Sequence, residues 1–372
     1  MTSLFDPIVI RDVVIRNRLW VAPMCQYTIL EWDGVPREWH LVHLGAMAAG
    51  GAGLIIAEAS AVSPEGRISP ADTGIWNTDQ LEGWKRVVDF AHTQGAAMGI
   101  QLAHAGRKAS TFPDWGHDGR QGTMVKEEGG WPTVGPSGLS YPGHAVPTAL
   151  DVAGIHKIVD EFIAAAERAV RAGFDVIEIH AAHGYLVHQF LSPISNDRTD
   201  AYGGSLENRA RLLLQIVAGI RGAIGEGTPL VVRLSATDYL DNGWDEIQTA
   251  TVAEWAAEVG ADVFDISSGG IVSGVPIPVA PGYQVPLAAF VKESAHVITT
   301  SVGLITTSAQ AAEIVGSGKA DAVMMGREIS RDPHFPLRAA HELGVDVGYW
   351  PPQYVRTHWP KVGQVESAFN DG

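Results

Sequence analysis

A single cysteine, Cys25, is all the thiol chemistry that these 372 residues offer. One thiol cannot close an intrachain disulfide, nor supply the four thiolates of a structural zinc site or an iron–sulfur cluster. Redox chemistry here must use an organic cofactor or a histidine-bound metal. Basic residues are also scarce: 26 Lys and Arg stand against 42 Asp and Glu, a formal charge of −16. That balance repels polyanions at long range, so nucleic acid and anionic membrane surfaces are excluded as partners and a small-molecule substrate is expected. No apolar run approaches the roughly eighteen residues that a bilayer span needs. The segment from Met1 to Ile8 has no basic stretch followed by an apolar one, so no secretory signal is read and a cytoplasmic protein is expected. A Pro/Ser-rich linker is missing too, and 46% of the residues are apolar. One domain spanning 1–372 is therefore expected.

What is present is a recurring beat. Ala49-Gly-Gly-Ala-Gly53 precedes Leu54-Ile-Ile56, Ala172-Gly-Phe-Asp175 precedes Val176-Ile-Glu-Ile179, and Val259-Gly-Ala-Asp262 precedes Val263-Phe-Asp-Ile266. Ser317-Gly-Lys-Ala-Asp321 precedes Ala322-Val-Met-Met325 in the same way. Glycine after a helix supplies the left-handed cap, and the short apolar run reads as a strand buried on both faces. Leu19–Ala22, Met98–Leu102, Leu230–Leu234 and Val297–Ile305 bring the strands to eight. Helix-period segments lie between them, including 81–93, 155–171, 206–220 and 245–259. This predicts an α/β fold, a (β/α)8 TIM barrel with an N-terminal hairpin and a long excursion after the third strand, from Ala103 to about Ala153. A doubly wound open sheet ranks second, because no G-x-G-x-x-G turn follows a first strand. The excursion reads equally as a lid over the site or as a surface detour.

His180-Ala-Ala-His183-Gly-Tyr185 ends the strand that starts at Val176. Residues three apart on a continuing strand point to opposite faces, so the two imidazoles converge only if the strand stops near His180. Gly184, Pro193 and Asn196 favour that break. At the C-terminal rim of a barrel the group becomes a pair of hydrogen-bond donors and a phenol, which is equipment for proton chemistry. Other strand ends bring Ala22-Pro23-Met24-Cys25, Glu58-Ala59, Gln101 to His104, Arg233, and Ser267-Ser-Gly-Gly270 to the same rim. Gly303 and Gly326-Arg327 end the seventh and eighth strands, the usual phosphate position of this architecture, where Arg327 adds a bidentate charge.

Together these residues resemble the old yellow enzyme family of FMN-dependent ene-reductases from Leu4 through Trp359. The most specific block is Phe190-Leu-Ser-Pro193, Asn196-Asp-Arg198, Asp200-Ala-Tyr-Gly-Gly204 and Ser205-Leu-Glu-Asn-Arg209. Read without the family, Ser205 is a helix N-cap and its neighbours brace a loop. Ala22-Pro-Met-Cys-Gln-Tyr27 and Tyr349-Trp-Pro-Pro-Gln-Tyr354-Val-Arg356 are similar to the thermophilic-like subgroup that includes xenobiotic reductases.

The resemblance implies FMN as cofactor and NAD(P)H as reductant, in a ping-pong cycle that passes hydride through flavin N5 to the β-carbon of an α,β-unsaturated carbonyl or nitro compound. It implies that Pro23, Met24, Cys25, Ala57 or a neighbour such as Ala59, Gln101 and Arg233 line the flavin, and that Ser268, Gly269, Gly303, Gly326 and Arg327 hold its phosphate. His180 and His183 would bind the substrate carbonyl oxygen, Tyr185 would donate the proton, and Tyr27 would orient substrate. Arg356 and Trp359 would reach the active site of a neighbouring copy, so a homodimer or larger homo-oligomer is expected. No metal is assigned. Two rivals remain: a metal-dependent barrel hydrolase using His180 and His183 with His104 and Asp238, and a non-catalytic flavin-binding redox sensor.

Overall fold

The computed structural model describes residues 2–115 and 119–359. Two expected domain limits, residues 1 and 372, lie outside that range. An antiparallel hairpin comes first, β1 (Ile8–Ile10) paired with β2 (Val13–Ile15). Eight parallel strands then close into a barrel: β3 (Leu19–Val21), β4 (Leu54–Ala61), β5 (Ala97–Ala103), β8 (Val176–Ala181), β9 (Leu230–Ser235), β10 (Val263–Ser267), β11 (Ile298–Ser301) and β12 (Ala322–Met325). Between β5 and β8 the excursion carries a two-residue pair, β6 (Val134–Gly135) and β7 (Thr148–Ala149). All eight expected barrel strands are present, as are the hairpin and the excursion.

Helices form where the sequence supplies a stripe and a cap. The helix Val152–Ala172 starts on Asp151, whose carboxylate accepts from Gly154 N at 2.7 Å, and ends on Gly173 at φ +98. Such an N-cap is worth about 1 kcal/mol. Ser205 caps Leu206–Ile224 as expected, accepting from Asn208 N. Arg198 donates to the carbonyls of Pro136 and Leu150, and Asn196 to those of Phe190 and Tyr202. The family-specific block is thus a braced loop.

The period of two along each strand sorts side chains into an outer and an inner set. Ile55, Ile100, Ile177, Ile179, Val232 and Phe264 face out and join the helices in the main core. Inside, the strands build layers. Val176, Val231 and Val263 fill the lower barrel with Trp20, Leu54 and Met324, and Ile8, Ile10 and Ile15 of the hairpin close it from below. Two residues along each strand come Glu178, Arg233 and Asp265, a charged middle layer. Two residues further come His180, Ser235 and Ser267, at the mouth. The alternation that packs the base therefore fixes which polar groups reach the site.

Candidate active site

β8 ends at Ala181, one residue past His180, so the break that convergence requires is there. The chain turns through His183 at φ +56 and Gly184 at φ +73, and Tyr185 becomes the N-cap of the helix Leu186–Leu191. Glycine is required at this turn: a Cβ on Gly184 would stand 2.1 Å from the carbonyl oxygen of Gly270, and one on Gly270 would stand 2.5 Å from His183 Cα. These contacts place the turn after β8 against the loop after β10. Below it, buried His188 accepts from Gly184 N through Nδ1 at 2.9 Å and lies 3.1 Å from Asp238 through Nε2.

The three expected groups meet. The ring of His180 lies 5.2 Å from that of His183 and 4.9 Å from that of Tyr185, both edge to face. His180 Nδ1 accepts from Ala182 N at 3.3 Å, which puts the proton of the neutral ring on Nε2. Burial, followed by the charge of Arg233, pushes both imidazoles well below their ordinary value, so both are neutral near pH 7. Burial pushes the Tyr185 phenol well up. Cys25 and Tyr27 pack in the same small cluster as Tyr185 and Trp131, and burial raises the Cys25 thiol. Trp115, on the excursion, meets Tyr27 edge on at 5.3 Å. The excursion therefore runs over the mouth rather than away from it.

His183 Nε2 lies 2.7 Å from Ser267 Oγ. Ser267 also lines a cavity of about 200 Å³ with Arg233, Gly303, Gly326 and Arg327. Arg233 Nε faces Asp265 at 2.8 Å. Among the described residues, the terminal guanidinium nitrogens of Arg233 and the whole guanidinium of Arg327 have no protein acceptor. A Cβ on Gly303 would meet Gln284 Nε2 and Tyr283 Cε1, both at 2.9 Å, so the backbone there is bare by necessity. The free guanidinium of Arg327 beside a bare glycine backbone is a fitting cradle for the phosphate of a flavin nucleotide, and the free nitrogens of Arg233 face the same cavity, where the ring edge of that nucleotide would lie. Met24 approaches the same end, with its Sδ 3.4 Å from where a Cβ on Gly326 would stand.

Several expected site residues are displaced. β4 carries a bulge that sets Ala57 opposite Ile100 and Ala59 opposite Gln101. Ala57, the residue expected beside the flavin, faces the helices in the main core, and its neighbour Ala59 takes the inward register instead. Ser268 donates to Gln284 Oε1 at 2.7 Å and accepts from Tyr239, while Gly269 N donates to Thr237 O, so neither group is left for a phosphate. Ser267, one residue earlier and inward-facing, lines the cavity instead. Gln101, by contrast, keeps its inward place beside Glu178, to whose Oε1 its Nε2 donates at 2.6 Å. Arg356 is exposed, and Trp359 stacks on His341 at 5.4 Å in a separate cavity of about 390 Å³ beside the helix Phe335–Glu342. Within one chain these two do not join the mouth, because the segment after Glu342 folds back on that helix. The hydrolase set does not assemble either. Asp238 is spent on His188, Ser192 and Trp244 N, and His104 accepts from Gly106 N. Among the described residues no three His, Cys, Asp or Glu side chains are grouped to hold a metal.

Comparisons with known proteins identify the family. The family model described as "NADH:flavin oxidoreductase / NADH oxidase family" matches residues 3–346. The chain is 46% identical over 364 residues to NADH:flavin oxidoreductase FG08077 of Gibberella zeae, covering 93% of this chain and 87% of that protein. It is 45% identical over 354 residues to the NADPH dehydrogenase of Halalkalibacterium halodurans, covering 95% and 98%. Among solved structures it resembles the old yellow enzyme homologue from Zymomonas mobilis, with a TM-score of 0.76 at 28% identity, covering 96% of this chain and 98% of that one. The chain therefore belongs to the NADH:flavin oxidoreductase / NADH oxidase family and, within it, to the old yellow enzymes: it is an enzyme with FMN as cofactor and NAD(P)H as reductant.

Proposed function

We propose that this enzyme reduces the activated carbon–carbon double bond of α,β-unsaturated carbonyl compounds, and of nitroalkenes by the same chemistry. The observation that carries the reading is the edge-to-face group of His180, His183 and Tyr185, joined through Ser267 to the guanidinium-lined cavity. Bound FMN supplies hydride transfer from NAD(P)H to the substrate's β-carbon. Arg233, Arg327, Gly303 and Gly326 would hold its phosphate and ring edge, with Pro23, Met24, Cys25, Ala59 and Gln101 beside the ring.

The residues of the chain do the rest. His180 donates from Nε2 to the substrate's oxygen. The Ser267 hydroxyl has two acceptors in reach, Gln284 Oε1 at 3.2 Å and His183 Nε2 at 2.7 Å. Turned toward His183, it leaves that ring's proton on Nδ1, free for the same oxygen. Neutral imidazoles suit this task, since they stabilise charge that develops on the oxygen without adding a counter-charge in the ground state. The O–H bond of Tyr185 then breaks as a C–H bond forms at the α-carbon. Tyr27, over the same cluster, orients the substrate. The reading extends to a cytoplasmic homodimer in which Arg356 and Trp359 of one copy complete the mouth of the other. In support, Arg356 is exposed and uncommitted to its own site.

Tyr185→Phe tests the reading. In anaerobic stopped-flow experiments the holoenzyme should accept hydride from NADPH at an unchanged rate and pass it to cyclohexenone about 10²–10⁴-fold more slowly. An unchanged second step removes Tyr185 from the proton-donor role.

A further inference from the structure

Lys108 lies in the short 3-10 turn Gly106–Lys108 that opens the excursion after β5. Its Nζ donates to the carbonyl oxygens of His183 at 2.8 Å and Gly270 at 3.3 Å. It stands 4.9 Å from the centre of the Tyr185 ring and 4.8 Å from that of Tyr141. The titratable and charged groups around it are Arg107, Tyr141 and His144 from the excursion and His180, His183 and Tyr185 from the end of β8. Among the described residues no carboxylate pairs with it.

A partly buried ammonium without a counter-ion is costly, and Arg107 beside it raises the cost. Burial and that neighbour push the amine down to about 8. A tether between the two loops does not need a charge, because a neutral amine or a main-chain N–H serves the same two carbonyls. A charge at this point has one evident use. Burial, then Cys25, Asp72, Asp114 and Tyr141, oppose ionisation of Tyr185, and Lys108 brings a cation over its ring.

We propose that Lys108 is a positioning residue that acts through Tyr185: it holds the turn carrying the phenol, and its ammonium stabilises the phenolate left when Tyr185 gives its proton to the substrate. The Tyr185 O–H bond breaks, the C–H bond at the α-carbon forms, and the phenolate regains its proton from solvent. The inference rests on the reading of Tyr185 as proton donor.

A double-mutant cycle in the FMN-loaded enzyme tests it, with the cyclohexenone step measured from pH 6 to pH 10. Lys108→Met should slow that step about ten- to hundredfold when Tyr185 is present, and hardly at all in the Tyr185→Phe background. The wild-type rate should fall as pH rises through about 8, whereas Lys108→Arg, which keeps its charge, should hold its rate through that range. A second readout is independent of turnover. In ultraviolet phenolate titrations, the band present with Tyr185 and absent with Phe should appear about one pH unit lower in the Arg variant than in the Met variant. Equal slowing by Lys108→Met in both backgrounds, a wild-type rate that is flat across pH 8, or coincident phenolate midpoints would each overturn the proposal. If Tyr185→Phe alone costs nothing, the parent reading fails; if it is slow and Lys108→Met is not, only this inference fails.

Discussion

Ser267 Oγ lies 2.7 Å from His183 Nε2, and the same side chain lines the cavity in which Arg233 and Arg327 present free donors. One hydroxyl therefore links the group that would bind substrate to the group that would bind cofactor. It follows from strand register: Ser267 is two residues beyond Asp265 on β10, so it faces inward at the mouth. The link also sets which nitrogen of His183 is left to meet a ligand.

Replacing Ser267 with Ala should release that ring. Binding of a phenol or an enone to the holoenzyme should weaken about tenfold, as expected for one neutral hydrogen bond, while FMN stays bound. The measurement is a spectral titration of the bound flavin with a substituted phenol. An unchanged dissociation constant would show that His183 is oriented by something else.

Arg327 has no protein acceptor among the described residues, so its charge is available to an anion. Arg327→Met should weaken FMN binding about ten- to hundredfold, the loss of one charge-assisted contact. Flavin release under dilution, followed by fluorescence, reads this directly. Riboflavin, which lacks the phosphate, should bind the variant and the parent alike.

The middle layer of the barrel carries a pH signature. Burial, then repulsion from Asp265, raises Glu178 to about 8. The fold therefore favours the neutral carboxyl. Its contribution is complete below the ordinary value of 4.5 and is lost as pH climbs through about 8. Glu178→Gln keeps a neutral side chain at every pH, so the wild-type Tm should fall relative to the variant between pH 5 and pH 9, by about 2 °C or more. Parallel Tm curves would mean that Arg233 keeps Glu178 ionised throughout.

Gly184→Ala should damage the site more than its size suggests. The added methyl would meet the Gly270 carbonyl at 2.1 Å, at a position with positive φ. A loss of about 2–4 kcal/mol in stability is expected, together with slower turnover because His183 and Tyr185 flank the displaced residue. Chemical denaturation of the holoenzyme gives the first quantity. A normal Tm with full activity would show that the two loops separate freely.

The barrel was legible because four αβ junctions repeat glycine, a small residue or two, and a short apolar run, and such a repeat has few other uses. The convergence of His180 and His183 was legible for a different reason: their spacing is unproductive on a continuing strand, so the chemistry demanded the turn that Gly184 permits. The bulge in β4 left no trace, since one extra residue changes neither composition nor period enough to tell Ala57 from Ala59. At Ser267-Ser268-Gly269-Gly270 four small residues in a row carry no periodic mark, and register with Ser235 on β9 decides which one faces in. The excursion was unreadable because its contacts are long-range. Lys108 reaches His183, 75 residues away, and Gly270, 162 residues away, and nothing local announces either.

Two neutral imidazoles hold the substrate's oxygen over the flavin in the proposed cycle. Their role is read by titrating the FMN-loaded enzyme with a substituted phenol and comparing the wild type with His180→Ala. A long-wavelength absorbance band is expected in the wild type and about 10²-fold weaker binding, or none, in the variant, the cost of one donor to a developing or full oxyanion. Equal affinity in both proteins, with FMN bound in each, would contradict it.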